Sequence, residues 1–308
     1  MATLSVAAAE RRSWTSRLTG GWLDRQGVLG YVLLTPALVL LLIFLAYPFV
    51  YGVWLAMTDA QIGAPTKFVG LGNFVYLFTS DPVYHQTLIN TFEYTFVTVV
   101  IKFFLGLMMA AVLNLGFRFN RIVRAAMLLP YIVPTVMSTL AWLWMYNSTY
   151  SVINWILLHG LGVQGPIWLS TNPWPMISLM IVNIWRGVPF FGVLLLAAMQ
   201  SVPNDLHEAG HVDGANAFQR WLFITIPTIR PVILITTLLT IISTFSDFQV
   251  IWVLTQGGPV NSTQVLGTYA FSTGIVGTSV GLGASIALTM FPLLVIMTGV
   301  VLWLLRRD

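Results

Sequence analysis

The stretch from His207 to Pro227 reads HEAGHVDGANAFQRWLFITIP. Two readings of it lead to different proteins. His207, Glu208 and His211 have the HExxH spacing, which on a helix puts two imidazoles on one face with a carboxylate beside them, as in a zinc site. The same residues also fit a bent surface segment offered to a partner. Pro203 can open a helix at its first position and Asp205 favours the positive end of its dipole. Gly214 interrupts that helix. A second amphipathic piece then carries Phe218, Trp221 and Leu222 before Pro227 and Pro231 punctuate the next segment. Two short helices at an angle are expected, with Phe218 and Leu222 packed back against the helices beyond.

What lies on either side decides between the readings. The chain is 57% hydrophobic and 8% charged, with a mean hydropathy of +0.84, far from the roughly 25% charge of soluble domains. It reads as an all-α integral membrane protein. A bilayer core of about 30 Å takes about 20 apolar helical residues, and six segments qualify, near Val28 to Met57, Leu88 to Leu115, Val123 to Tyr146, Trp174 to Met199, Pro231 to Leu254 and Gly281 to Leu305. The first is too long for a signal-peptide core and is expected to be retained. Without cysteine there is no disulfide, thiolate metal site or cysteine nucleophile.

Basic residues orient the bundle. Arg11, Arg12, Arg17 and Arg25 precede the first span, Arg118, Arg121 and Arg124 separate the second and third, Arg220 and Arg230 the fourth and fifth, and Arg306 and Arg307 follow the sixth. All of these regions, both termini included, are placed in the cytoplasm. The net charge of +4 thus follows topology and indicates no nucleic-acid partner. The opposite loops, about 58–87, 147–173 and 255–280, contain Lys67 as their one lysine or arginine and are rich in turn formers and aromatics. They read as ordered caps with interfacial tryptophans. Residues 1–27 form a cytoplasmic tail in which Trp14, Leu18 and Trp22 recur every four residues among arginines, the pattern of a helix lying on the membrane surface; a disordered basic tail is the alternative. Residues 28–308 form the membrane domain, with its core at 88–305 and a cytoplasmic loop at 200–230.

That loop is long for a passive connection. A catalytic zinc needs a third protein ligand and a shielded water, but Ala217 stands where the extended metalloprotease pattern has a third histidine. Asp213 is too near in sequence to complete a tetrahedral site easily, and His85 and His159 fall on the other side of the membrane. A membrane zinc protease therefore remains only as an alternative. An ATP-independent carrier is another, although no repeated halves with broken helices are evident.

The spacing resembles the EAA loop of the inner-membrane permease subunits of bacterial ATP-binding-cassette importers: EAA, three residues, Gly, nine residues, then Ile-x-Leu-Pro. Glu208 and Ala209 match, Gly210 replaces the second alanine, Gly214 and Ile224 fall at the right gaps, Ile226 replaces the leucine, and Pro227 closes the motif. Asp213-Gly214-Ala215 is similar to the carbohydrate branch, and Thr255-Gln256-Gly257-Gly258-Pro259 to its maltose F-type subunit. Asn90-Thr91, Leu105-Gly106-Leu107, Arg124 with Leu129-Pro130, and Ile184-Trp185 with Pro189-Phe190 agree, so that the resemblance covers residues 28–305. It implies a type I importer permease fold in the bacterial inner membrane and a non-catalytic subunit of a sugar importer. It also implies a cytoplasmic ATPase dimer that binds ATP and magnesium, a second, non-identical permease, and an extracytoplasmic sugar-binding protein. Glu208, Ala209, Gly210, Asp213, Gly214, Ala215, Ile224 and Pro227 would form the coupling site, with Glu208 as the anchor and Gly214 as the bend.

The chain has no P-loop of its own, because its only lysines, Lys67 and Lys102, are each followed by phenylalanine; GxSxG is also missing. No catalytic residue, cofactor or metal ligand is assigned. Polar groups inside spans are costly and more often functional than in soluble cores, which directs attention to Glu93, Lys102, Asn183, Arg186, Asp247 and Gln249. Arg186 and Asp247 lie at similar depth and are expected to face the bundle interior, where they could pair. Lys102 is expected to snorkel or to meet the companion permease. Asn183, Arg186, Asp247 and Gln249 are the candidates for the solute path, with Tyr94, Trp185 and Phe245 as aromatic candidates beside them. Gly283 and Ala287 would let a neighbouring helix approach closely.

Overall fold

The computed structural model describes residues 26–306. The tail helix expected around Trp14 to Trp22 lies outside the described residues. Two compact units divide the chain, Met1–Trp54 and Leu55–Asp308.

The first apolar helix, α1, spans Gly30–Ala56 and includes a π-helical stretch at Leu42–Ala46. Its side chains from Tyr31 to Tyr51 are almost all exposed, as expected of a helix whose solvent is lipid.

In the second unit, helix follows helix: α2 (Gly72–Ser80), α3 (Pro82–Asn114), α4 (Asn120–Ile132), α5 (Thr135–Met145), α6 (Val152–Leu161), α7 (Trp174–Gln200), α8 (Asn204–Val212), α9 (Ala217–Arg220), α10 (Ile226–Phe245), α11 (Gln249–Leu254), α12 (Leu266–Phe271) and α13 (Val280–Leu305). Among the described residues five helical segments, α1 among them, are long and apolar enough to cross a membrane, and the bent pair α4 and α5 makes a sixth span if counted as one. The expected straight third span is therefore corrected. Its halves meet at 92°, because Val133 and Pro134 are both extended, with ψ of 133°. A residue before proline is pushed out of the helical region by the proline ring.

Two other spans also differ from expectation. The second begins at Pro82 rather than near Leu88. Asp81 caps it by accepting from the Val83 and Tyr84 amides, and holds its other oxygen 2.6 Å from the Tyr269 hydroxyl. The fifth begins at Ala217 rather than Pro231, because α9 runs through a π-helical stretch, Trp221–Thr225, directly into α10. Pro227 lies inside this continuous helical run, two residues past the π-helical stretch, and has no amide hydrogen to give to the preceding turn. This span then breaks between Phe245 and Gln249, which leaves Asp247 outside regular helix.

The core forms where small residues let helices close. A Cβ at Gly106 would collide with Phe191, and one at Gly192 would lie 2.5 Å from Met109 Sδ, so α3 and α7 pack with almost no gap. Leu107, Met109, Leu113, Phe191, Leu195, Met199 and Ile229 fill this contact, with Trp221 against it. Near the opposite end, Tyr146, Trp168, Met176, Leu179, Val250 and Ile251 form a second cluster. Trp168 is buried there and donates to Asn154 Oδ1 at 2.7 Å, so it is part of the core rather than an interfacial anchor. Gly283 meets Gly274 of the same chain backbone to backbone, while Ala287 stays exposed.

The segment 255–265 is tied to α3. Asn90 Nδ2 donates to the carbonyls of Asn261 (3.2 Å) and Gln264 (3.0 Å), and the Leu266 amide donates to Thr91 Oγ1 at 3.0 Å. Val260 and Asn261 hold positive φ there, 48° and 60°, conformations that persist only when surroundings fix them. Asn90→Leu removes both side-chain bonds. It is expected to raise hydrogen exchange of the 255–265 amides at least tenfold, since two such bonds are worth about 2 kcal/mol, while the α7 amides stay unchanged.

Candidate functional site

Two places gather the polar residues that the sequence singles out. The first is the segment between α7 and α10. Helix α8 ends in a turn in which the Gly214 amide donates to the His211 carbonyl (3.1 Å) and the Ala215 amide to the Gly210 carbonyl (2.9 Å). This is the paired hydrogen bonding of a Schellman motif, and it requires a left-handed residue at Gly214, whose φ is 81°. Asn216 then opens α9 with a capping box: its side chain accepts from the Gln219 amide, and Gln219 Oε1 accepts from the Asn216 amide. Arg220 Nη1 reaches back to the Ala215 carbonyl at 2.6 Å. The first expected short helix and the bend at Gly214 are therefore present and locally determined, whereas the second piece is the start of the span that follows rather than a helix of its own.

Glu208, Ala209, Asp213, Gly214 and Pro227 are exposed, and Gly210, Ala215 and Ile224 are half-buried. Gly210 explains its own departure from alanine. A Cβ there would come 2.7 Å from Ile224 Cδ1 and 3.4 Å from the Arg220 stem, so α8 lies directly on the helix that follows. The expectation for Phe218 and Leu222 is corrected: both are exposed, Phe218 by 67%. Trp221, half-buried and stacked with Phe218 at 6.1 Å between ring centroids, packs against the core instead. The segment thus leaves Leu206 and Val212 exposed on the helix that carries Glu208, and Phe218, Leu222 and Phe223 exposed on the helix after the bend. His211 Nδ1 faces Arg220 Nη1 at 3.4 Å. Among the described residues no group of three His, Asp or Glu side chains gathers around a common point.

The second place is a cavity of about 640 Å³ lined by residues of α3, α4, α7 and α10 and by the break before α11. Asn183, Arg186, Asp247 and Gln249 all line it. Asp247 Oδ2 accepts from the Tyr94 hydroxyl and from Asn183 Nδ2, each at 2.8 Å, which joins three spans at one oxygen. The expected pairing of Arg186 with Asp247 is not found; the two share the cavity without an ion pair, and Arg186 Nε has no partner. The two short polar donors reach the carboxylate, and the guanidinium is left facing the space.

Lys102 does not snorkel. It is 3% exposed, lines the same cavity, and donates to Thr244 Oγ1 at 2.9 Å. Gly187 makes this possible, since a Cβ there would come 2.5 Å from Lys102 Cε. Glu93 by contrast is exposed. Of the aromatic candidates, Tyr94 and Phe245 are buried in packing and Trp185 stacks edge-on against Trp142. The aromatic residues lining the cavity are instead Tyr131, Phe190 and Phe248, the first two stacked with ring centroids 5.6 Å apart. Phe190 belongs to the Pro189-Phe190 stretch that the sequence marks and Tyr131 directly follows Leu129-Pro130, but nothing in those stretches says which way the rings point.

Residues 102–307 match the family of binding-protein-dependent transport system inner membrane components. The chain belongs to that family. It is 34% identical over 296 residues to the trehalose/maltose transport system permease of Thermococcus litoralis, covering 95% of this chain and 99% of that one. It is 31% identical to the sulfoquinovosyl glycerol transport system permease of Agrobacterium fabrum (93% and 94% covered) and 30% identical to the trehalose transport system permease of Mycobacterium tuberculosis (93% and 92% covered). In fold it superposes on a chain of a bacterial transporter that imports the acidic polysaccharide alginate, with a TM-score of 0.80 at 22% identity over 96% of this chain and 99% of that one. This is a multi-pass permease of a transport system with the type I importer fold, and neither the protease nor the carrier reading stands beside that membership.

Proposed function

We propose that this chain is one permease subunit of an ATP-driven sugar importer. Its permease domain, residues 28–308, forms the translocation path with a second, non-identical permease, receives solute from an extracytoplasmic sugar-binding protein, and is driven by a cytoplasmic ATPase dimer that binds ATP and magnesium. The sugar class is supported by the relatives named for trehalose, maltose and sulfoquinovosyl glycerol transport, and the external partner by a similar transporter crystallised with a periplasmic protein that holds an alginate pentasaccharide. ATP hydrolysis falls to a partner because neither lysine stands in a phosphate-binding loop.

The observation that carries this reading is the loop at 200–230. An exposed helix with apolar residues around a carboxylate, ending in a locally fixed turn and continuing as one helix into a span, is the form of a lever. In this reading Glu208 anchors the ATPase by a contact to arginine or backbone amide. Ala209 and Gly210 allow close approach, Asp213, Gly214 and Ala215 set the angle, and Ile224 and Pro227 pass the movement to α10. Asn183, Arg186, Asp247 and Gln249 line the path.

The importer reading is tested with the complete complex in lipid vesicles, the binding protein being supplied outside. Labelled sugar should accumulate only with ATP on the ATPase side, and Glu208→Lys should cut accumulation at least tenfold with the permease content unchanged. Accumulation without ATP, or normal accumulation by Glu208→Lys, would contradict it.

A further inference from the structure

Two basic side chains and one carboxylate border the cavity: among its lining residues the ionisable ones of this kind are Lys102, Arg186 and Asp247. Asp247 does not neutralise either cation by contact; its Oδ2 is occupied by the Tyr94 hydroxyl and the Asn183 amide. Lys102 is 3% exposed, and of the three donors of an ammonium only one has a partner, Thr244 Oγ1 at 2.9 Å. Arg186 Nε is buried and unpartnered. Unpaired donors on cations within the membrane domain are costly, and here they border the same open space.

The placement of Lys102 is built in. Its stem crosses α7 at Gly187, where a Cβ would come 2.5 Å from Cε and 2.7 Å from Cδ. Any side chain at position 187 would press on the stem that brings the ammonium beside the cavity. The same space is lined by the stacked rings of Tyr131 and Phe190, the latter one turn beyond Arg186 on α7, apolar faces of the kind that cover the C–H side of a pyranose.

We infer that the solute is an acidic sugar, a glycoside bearing one carboxylate, sulfonate or phosphate, whose anion lies between Lys102 and Arg186 while its ring faces Tyr131 and Phe190. This rests on the reading of the cavity as the translocation path, and it adds Lys102 to that path as a specificity-determining residue. Asp247 opposes a second negative charge and confines the preference to monoanionic solutes.

The test uses the complete complex in vesicles with its binding protein outside, and compares uptake of a labelled aryl glucuronide with that of the matching neutral aryl glucoside. The glucuronide should enter at least tenfold faster. Lys102→Met should lower the ratio of acidic to neutral uptake at least tenfold, Gly187→Ala should lower it in the same direction, and Lys102→Arg should restore it. Complex yield, read on the same preparations, separates misassembly from altered selectivity. Neutral uptake equal to or faster than acidic uptake overturns the inference and leaves the importer reading intact, as does a ratio unchanged in Lys102→Met. A complex that assembles but accumulates neither sugar in the presence of ATP overturns both.

Discussion

A Gly214→Val variant is expected to reach the membrane at normal levels but to lose most of the ATPase that co-purifies with the natural chain. Gly214 has a φ of 81°, and nothing lies within 4 Å of where its Cβ would be. The defect is therefore conformational rather than steric. A non-glycine residue in the left-handed region costs roughly 1–2 kcal/mol, and a β-branched one stands at the upper end or beyond. At about 1.4 kcal/mol per factor of ten, the equilibrium between the intact and the opened α8–α9 angle should shift about tenfold or more toward the opened form. Gly214→Asn is the informative companion, because asparagine tolerates the left-handed region and should retain most of the ATPase. A pull-down that ranks glycine above asparagine above valine supports a turn that positions the loop. Equal loss in Asn and Val would mean that position 214 acts by contact instead.

Asp247→Leu should be the most damaging single change in the membrane interior. One carboxylate oxygen accepts from Tyr94 of α3 and Asn183 of α7, and both donors belong to residues that are almost fully buried. Removing the acceptor strands two donors, each costing about 1–3 kcal/mol, and frees the break that leads into α11. A loss of about 3 kcal/mol is expected, read as a lower midpoint of thermal unfolding in lipid nanodiscs, together with loss of uptake. Asp247→Asn keeps one carbonyl acceptor and should lose about half as much. If Asp247→Leu unfolds at the natural midpoint, the three-span junction is not a stabilising feature and the residue is there for the solute alone.

These two sites differ in how far the sequence discloses them. The bend at Gly214 is legible because a Schellman turn and a capping box are local chemistry, decided by residues 210 to 219 and independent of what surrounds them. The number of spans is legible for the same kind of reason, since about 20 apolar residues per crossing is a condition set by the bilayer. The 92° break at Val133 and Pro134 lies inside an unbroken apolar run, so hydropathy passes over it. Its signal was Pro134 itself, through the restriction on the residue before it. Direction within a span is harder still. Lys102 carries the charge that a snorkelling residue carries; what sends it inward is the gap at Gly187 on another helix, which no window along α3 contains. Arg186 and Asp247 line the same cavity, yet Tyr94 and Asn183 reach the carboxylate and the arginine does not. Phe218 stays exposed while Trp221 packs against the core, because the neighbours that cover Trp221 come from helices distant in sequence.

The central claim is that the exposed helix α8 is where the chain meets its ATPase, and the absence of cysteine from the sequence makes a direct measurement possible. A single cysteine introduced as Ala209→Cys, with a short photoactivatable cross-linker attached in native membranes, should capture an ATP-binding-cassette ATPase as its principal product, identified by mass spectrometry. The same label placed as Thr149→Cys in the loop after α5 should capture none. Equal capture from both positions, or an Ala209→Cys label that reacts only with lipid or with the chain itself, would contradict the account.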